Sequence, residues 1–333
     1  MNFDHYIAVD WSMATMAIAR LTGVAERMSI VEQPTSMTEL KMYLKSLKGS
    51  KILTIEESNH AQWFYVEISA HVDKLIICDP HRNHLLSDGP KNDKVDASKL
   101  VQLLKAGLLK EVFHSTDDII YLRKLSSHYQ DFVRAGVMAK NQRSALFRSY
   151  GLCHKQAKFN GNHAIEDFVL SRLDEQIALF EKSKEDYETK FKEVGKKIPS
   201  IKLLKSIPGV GDIHAVELLA QIVDVKRFSS IGHLYSYAGL IRHEKMSGGR
   251  HYGNRKPRYS RELKRVVKMI AYIAVVRGAE NKLAEYYRHL LEKGMAEHDA
   301  RHACSRKVIA YVYGILKTER KLDQSKFKSL KVV

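Results

Sequence analysis

The stretch His5-Tyr6-Ile7-Ala8-Val9-Asp10, followed by Trp11-Ser12, is an apolar run that ends in an acid. It reads as a strand and sets the frame for the first hundred residues. Working outward, residues 15–21 and 28–32 read as a second and a third strand, with Gly23 marking the turn between them. Residues 37–47 are helical, and Lys51-Ile52-Leu53-Thr54-Ile55 is a buried-type strand that runs into Glu56 and Glu57. The pattern then repeats: a helix over 61–69, a strand Lys74-Leu75-Ile76-Ile77-Cys78 ending at Asp79-Pro80, and an amphipathic helix over 93–109. Strands mixed with helices in this order predict an α/β sheet layered with helices.

The whole chain is 333 residues with 55 Lys+Arg against 38 Asp+Glu, a formal charge of +17, and 44% hydrophobic residues. That length suits about two domains, and 18 Gly with 6 Pro exclude a collagenous or low-complexity chain. No apolar run approaches the roughly 18 residues of a membrane span, and the N-terminus lacks the basic start of a signal peptide, so no membrane partner and a cytoplasmic location are expected. Cys78, Cys153 and Cys304 are odd in number and far apart, which fits neither a disulfide framework nor a CxxC zinc site. Residues 1–120 hold 13 basic and 16 acidic side chains, 121–240 hold 19 and 13, and 241–333 hold 23 and 9. The positive charge therefore concentrates in the last third, whose natural partner is a polyanion.

Residues 117–150 and 164–197 are long, proline-free helical stretches separated by Gly161-Asn162. Two antiparallel helices, serving as a coiled-coil arm or dimerisation spacer, are the simplest reading. Lys197-Ile198-Pro199 ends the second, and a helical domain begins near Ile201. Within it, Leu203-Leu204-Lys205-Ser206-Ile207-Pro208-Gly209-Val210-Gly211-Asp212-Ile213-His214 reads as a helix-hairpin-helix. Pro208 ends one helix, Gly209 and Gly211 allow a tight turn with open N–H groups, and the next helix presents its positive end to a phosphate. Downstream, Met246-Ser247-Gly248-Gly249-Arg250-His251-Tyr252-Gly253-Asn254-Arg255-Lys256-Pro257-Arg258 reads as a glycine-rich loop crowded with cations. Arg250, Arg255, Lys256 and Arg258 are candidates to hold a phosphate while Ser247 attacks it, although serine-glycine loops are common and, on these residues alone, Ser247 reads as a loop residue before it reads as a nucleophile. The closing helices, 261–277, 282–291 and 296–317, are amphipathic and basic, with Tyr272, Tyr286, Tyr287, Tyr311 and Tyr313 read as core or interface residues.

Four carboxylates in the first hundred residues form a second pattern. Asp10 and Glu56 each end an apolar strand, and Asp93 and Asp96 lie three apart on one helical face. Acids at neighbouring strand ends converge at a sheet edge, and hard oxygen ligands of this kind suit Mg²⁺ or Mn²⁺, which activate phosphodiesters. Taken singly, each has a plainer reading as a turn former, a solvated side chain or, for Asp93, a helix cap. Together they follow the order of an RNase H-like nuclease domain.

At this point the chain resembles the DEDD transposases of bacterial and archaeal insertion sequences, a family that includes the Piv-type DNA invertases. The N-terminal marks are IAVDWS around Asp10, TIEES around Glu56 and KNDKVDASKLVQLL around Asp93 and Asp96; the C-terminal marks are LLKSIPGVGDIHAVELLAQI, RFSSIGHLYSYAGL and the SGG at Ser247. The resemblance implies a RuvC-like domain of RNase H fold over 1–114, a helical coiled-coil connector over 115–198, and an all-α transposase domain with the helix-hairpin-helix over 199–333. It implies Asp10, Glu56, Asp93 and Asp96 as ligands of Mg²⁺ or Mn²⁺, and Ser247 as the nucleophile that joins a DNA phosphate. Glu57 competes with Glu56, which is preferred because Ser58 follows it as the small polar residue two positions on. Arg242 and Tyr259-Ser260 stand where members often carry a proline and a Gly-Asn pair, and Ser260 is a second candidate nucleophile. The resemblance further implies DNA partners at element ends and target, a structured guide RNA encoded by the element, a homo-oligomer (dimer or tetramer) and a nucleoid-associated location. The alternatives are a site-specific invertase, a metal-dependent junction resolvase indifferent to Ser247, and a catalytically silent DNA- or RNA-binding relative.

Overall fold

The structure is a computed structural model and describes residues 2–23, 27–80, 92–153, 163–277 and 280–323. The chain divides into two units, Met1–Asp117 and Asp118–Val333.

The first unit holds β1 (His5–Trp11), β2 (Thr15–Thr22), β3 (Met28–Pro34), α1 (Met37–Ser46), β4 (Lys51–Glu56), α2 (Ala61–Ile68), β5 (Lys74–Cys78), α3 (Asp93–Lys105) and the short β6 (Glu111–Val112). Its sheet runs β3-β2-β1-β4-β5-β6. The β1–β2 and β2–β3 pairs are antiparallel, β1–β4 and β4–β5 are parallel, and β6 pairs antiparallel with β5. Side chains alternate across a strand, so Ile7, Val9, Met16, Ile18, Leu53, Ile55 and Ile77 pack on one face against Leu40 and Leu44 of α1 and Phe64 and Ile68 of α2. Tyr6, Ala8, Ala17, Ala19 and Ile52 pack on the other against Ala97, Leu100, Val101 and Leu104 of α3. Burial on both faces is why these strands read as continuous apolar runs. The alanines on the second face let α3 lie close to β1 and β2. Asn92, not Asp93, caps α3, accepting a hydrogen bond from the Lys94 amide at 2.8 Å, so the plainer reading of Asp93 as the cap does not hold.

The second unit opens with a 3-10 turn, Asp118–Tyr121, then α4 (Leu122–Ser149) and α5 (Ala164–Lys197). These two helices pack antiparallel through aromatic contacts, with Phe132 and Phe180 rings 5.1 Å apart and Tyr129 and Phe191 5.2 Å apart. Gly136 of α4 lies directly under the Phe180 ring, where a methyl group would collide. The Gly161-Asn162 break lies outside the described residues. α6 (Pro199–Leu204), α7 (Asp212–Ile222), α8 (Ile231–Tyr237), α9 (Arg261–Tyr272), α10 (Lys282–Glu292) and α11 (Glu297–Thr318) follow. Their apolar faces share one core with the base of the α4–α5 pair, including Leu218, Val266, Ile270, Leu283, Val308 and Val312. Inside it, the buried Glu217 of α7 accepts hydrogen bonds from Arg265 of α9 and Gln130 of α4, each at 2.6 Å. Among the described residues no helix is long and apolar enough to cross a membrane.

The C-terminal region departs from the all-α expectation at one place. The segment read as a glycine-rich loop is a two-stranded antiparallel ribbon, β7 (His243–Ser247) and β8 (Arg250–Arg255). Gly248 and Gly249 form its turn with φ of 54° and 74°, the doubly positive backbone that matches the twist of a tight hairpin and that glycine adopts without strain.

Candidate functional site

Each unit carries its own set of candidate residues. In the first, the parallel β1–β4 ladder pairs Ala8 with Thr54. Two residues further along, Asp10 and Glu56 stand level at the ends of adjacent strands. They share parity with Ala8 and Ile52, so both face the side that α3 covers. The first turn of α3 supplies Asp93 and Asp96 to that same side. The sheet register and one helix start thus gather four carboxylates from three separate stretches of sequence.

Their charges act on one another. Asp10 is pushed up from the ordinary 3.8 to about 6, first by burial and then by the negative charges of Asp93, Asp96 and Glu56. Glu56, though exposed at its tip, is also raised, by partial desolvation and by Asp96. Among the described residues, no basic side chain offsets either shift. An all-oxygen set with uncompensated negative charge fits a hard divalent cation in donor chemistry. Among the described residues, however, no three His, Cys, Asp or Glu side chains close on one point as metal ligands, so the fit is one of charge and donor type.

Glu57 is engaged elsewhere. Its carboxylate lies 2.6 Å from Nε2 of the buried His114, whose Nδ1 is 2.8 Å from Gln62 Oε1, and Gln62 in turn donates to the Ser115 carbonyl at 2.8 Å. Tyr65 stacks on the His114 ring at 5.7 Å. Pairing with His114 separates Glu57 from the acid group to which Glu56 is coupled. Sequence reasoning missed this network.

In the second unit, Ser247 ends β7 beside the turn and pairs across the ribbon with Arg250. Every residue of the two strands is exposed except the half-buried Gly253. Arg250 and Arg255 lie on the ribbon, and Lys256 and Arg258 are exposed on the strand's exit. Ser260 has a different duty: its hydroxyl caps α9 by accepting from the Leu263 amide at 3.1 Å, and it donates to Gln221 at 2.8 Å.

The α6–α7 turn is tighter and more internal than its sequence signature implies. α6 already ends at Leu204, and Pro208 sits within the turn. Gly209 has a φ of +83°, and a Cβ there would stand 2.6 Å from the Ile270 carbonyl of α9 and 3.0 Å from the Ala274 amide. Close approach to another helix is what demands glycine at this position. Gly211 begins α7 in extended conformation with open space around it and no side-chain cap. Lys205 pairs with Asp212 in the first turn at 2.7 Å. His214 donates to the Gly209 carbonyl, and burial holds its pKa below the usual range.

Residues 201–288, which run from α6 through the serine ribbon to α10, match the model of the transposase IS116/IS110/IS902 family. The insertion element IS116 uncharacterized 44.8 kDa protein of Streptomyces clavuligerus is 25% identical over 167 residues, covering 50% of this chain and 41% of its own length. The insertion element IS110 uncharacterized 43.6 kDa protein of Streptomyces coelicolor is 28% identical over 152 residues, 45% of this chain and 37% of its own. The matched stretch thus spans less than half the length of either relative. The family model and both insertion-element proteins agree, so what this chain is similar to, over residues 201–288 above all, is the transposase IS116/IS110/IS902 family.

Proposed function

We propose that this protein is a DNA transposase that cuts and rejoins phosphodiesters at insertion-element ends and target, using the acid group of the first unit and Ser247 of the second. The observation that carries the reading is the mutual crowding of Asp10 with Asp93, Asp96 and Glu56 at one end of the sheet, in a chain whose second unit is similar to a transposase family. The strand order, with three antiparallel strands followed by parallel ones, is consistent with an RNase H-like, RuvC-like domain. Asp10, Glu56, Asp93 and Asp96 would hold Mg²⁺ or Mn²⁺, which when bound supplies Lewis-acid activation of a phosphodiester. Ser247 Oγ attacks phosphorus and forms a phosphoserine ester as the bond from phosphorus to one sugar oxygen breaks, the hydroxyl proton ending on that departing oxygen. Arg250 beside it holds the non-bridging oxygens and offsets the charge that develops on them, and Arg255, Lys256 and Arg258 grip the flanking backbone. A two-stranded ribbon is also narrow enough to enter a DNA major groove. The open N-terminus of α7, with Gly211, supports a helix-hairpin-helix role in gripping backbone phosphates.

Polyanionic partners follow from the basic second unit: element-end and target DNA, and a structured guide RNA from the same element. Self-association is supported by Ile165, Phe168 and Leu179 of α5, which stand 66%, 63% and 65% exposed and recur near one helical stripe, an apolar seam suited to the same helix of a second copy. Sedimentation of wild type and Phe168→Glu tests it: the variant is expected to shift to smaller species, and unchanged sedimentation contradicts the seam.

The function is tested by incubating purified protein with Mg²⁺, element ends, target DNA and the RNA flanking the element. Wild type is expected to cleave and join, Asp10→Ala to lose cleavage, and chelation to reproduce that loss. Cleavage that survives Ser247→Ala but not Asp10→Ala would favour a resolvase-like nuclease. Binding without any cleavage by wild type would favour a silent binding protein.

A further inference from the structure

The second unit holds a cavity of about 960 Å³ that opens to solvent. Its walls come from the α8–β7 connection, the chain leaving β8, and helices α9 and α11. Arg242, Lys256, Lys264, Lys268 and Arg306 all line it. Lys264 and Lys268 are one turn apart on α9, and His302 and Arg306 are one turn apart on α11, so helical periodicity sets two rows of basic groups on facing walls. The cavity's two carboxylates do not neutralise them. Asp299 lies 3.2 Å from the His298 ring, Glu244 belongs to the exposed ribbon, and none of the five cations forms an ion pair among the described residues.

His302 registers the resulting field. Its Nε2–H donates to the Leu240 carbonyl at 3.2 Å. Its pKa is lowered, by burial first and also by the positive charges of Arg306, Lys268 and Lys264. Three cations therefore converge on this imidazole and disfavour its protonation. Gathering like charges without counter-charge is unfavourable in the free protein and is relieved when an anion enters. Arg242 immediately precedes β7, whose last residue is Ser247, and five residues at the rise of a strand span about 16 Å, so a phosphate held beside Arg242 is separate from the one that the serine attacks.

We propose that this cavity is a phosphate-binding cleft that grips a nucleic-acid strand flanking the one presented to the serine ribbon. The proposal rests on the nucleic-acid reading of the second unit and adds a separate site to it. Arginine with lysine on opposed walls, open to solvent, suits successive backbone phosphates rather than a single small anion. Phosphodiester is shared by DNA and RNA, and the test separates the two.

The test uses the full chain and fluorescein-labelled single-stranded 12-mers of one sequence, as DNA and as RNA, followed by anisotropy from 50 to 300 mM salt. Lys268→Gln combined with Arg306→Gln is expected to weaken binding about tenfold at 150 mM salt and to lower the salt slope by about 1 to 1.5, since each phosphate contact on a single strand contributes about 0.7. Lys264→Gln with Lys268→Gln repeats the test without touching the half-buried Arg306. Arg250→Gln with Arg255→Gln serves as the ribbon comparison. A loss confined to DNA, or to RNA, supports the cleft and names its strand. Wild-type affinity and slope in both cleft variants, with weakened binding in the ribbon variant, overturn the cleft and leave the proposed function standing. Failure of wild type to bind either oligonucleotide overturns both.

Discussion

At the scale of single residues, the crowding of acids in the first unit falls on Asp10. With its folded pKa raised from 3.8 to about 6, the native state holds this proton more tightly than the unfolded chain does. Stability from this group is therefore fully present below about pH 4, is lost as pH rises through about 6, and stays lost above. Asp10→Asn removes the penalty. In the presence of a chelator, the variant is expected to be more stable than wild type at pH 7.5, on the order of 1–2 kcal/mol after allowance for the open side of the site, and to show a flatter profile between pH 4 and 6. Urea unfolding at several pH values checks this; an Asn variant no more stable than wild type at pH 7.5 contradicts the crowding of the four acids. The strand ends and the helix start that carry Asp10, Glu56, Asp93 and Asp96 were legible because local sequence marks each boundary. Glu57 was ambiguous because its partner, His114, is 57 residues away and no local pattern announces that pairing.

At the scale of elements, the α6–α7 turn separates two demands on glycine that look alike in sequence. Gly209 has a positive φ and lies against the α9 backbone, whereas Gly211 has neither constraint. Gly209→Ala is expected to destabilise the protein by about 2 kcal/mol or more, combining a left-handed backbone with a collision. Gly211→Ala is expected to stay within about 1 kcal/mol. Equal losses in thermal or urea unfolding would contradict this division, and a selective loss of nucleic-acid binding in Gly211→Ala would place the anion contact at the start of α7. The helices of this unit were readable because each buries one apolar stripe. The β7–β8 ribbon was not, since it is exposed on both faces and carries no alternating apolar signal; only Gly248-Gly249 hinted at its turn. The five-residue π-turn Ile273–Arg277 that extends α9, against which Gly209 packs, left no mark of its own in the sequence.

At the scale of the whole molecule, a mildly acidic first third precedes a strongly basic last third, which under the proposed function sets a carboxylate site apart from a nucleic-acid grip. That division was visible in the charge count alone, as was the α/β-then-helical order, because both depend on composition and periodicity rather than on long-range contacts. The cation cleft was not visible, since its walls come from four segments brought together only by the fold. Under the proposed function, Ser247 becomes covalently joined to DNA in a reaction that also needs the acid group. Peptide mass spectrometry of the protein recovered from the complete reaction after nuclease digestion tests this. A nucleotide mass on the peptide containing Ser247 is predicted for wild type and for Ser260→Ala, which loses a helix cap worth about 1 kcal/mol, and is predicted to vanish in Asp10→Ala. DNA joined and exchanged with no nucleotide on Ser247, or the adduct persisting in Asp10→Ala, would contradict it.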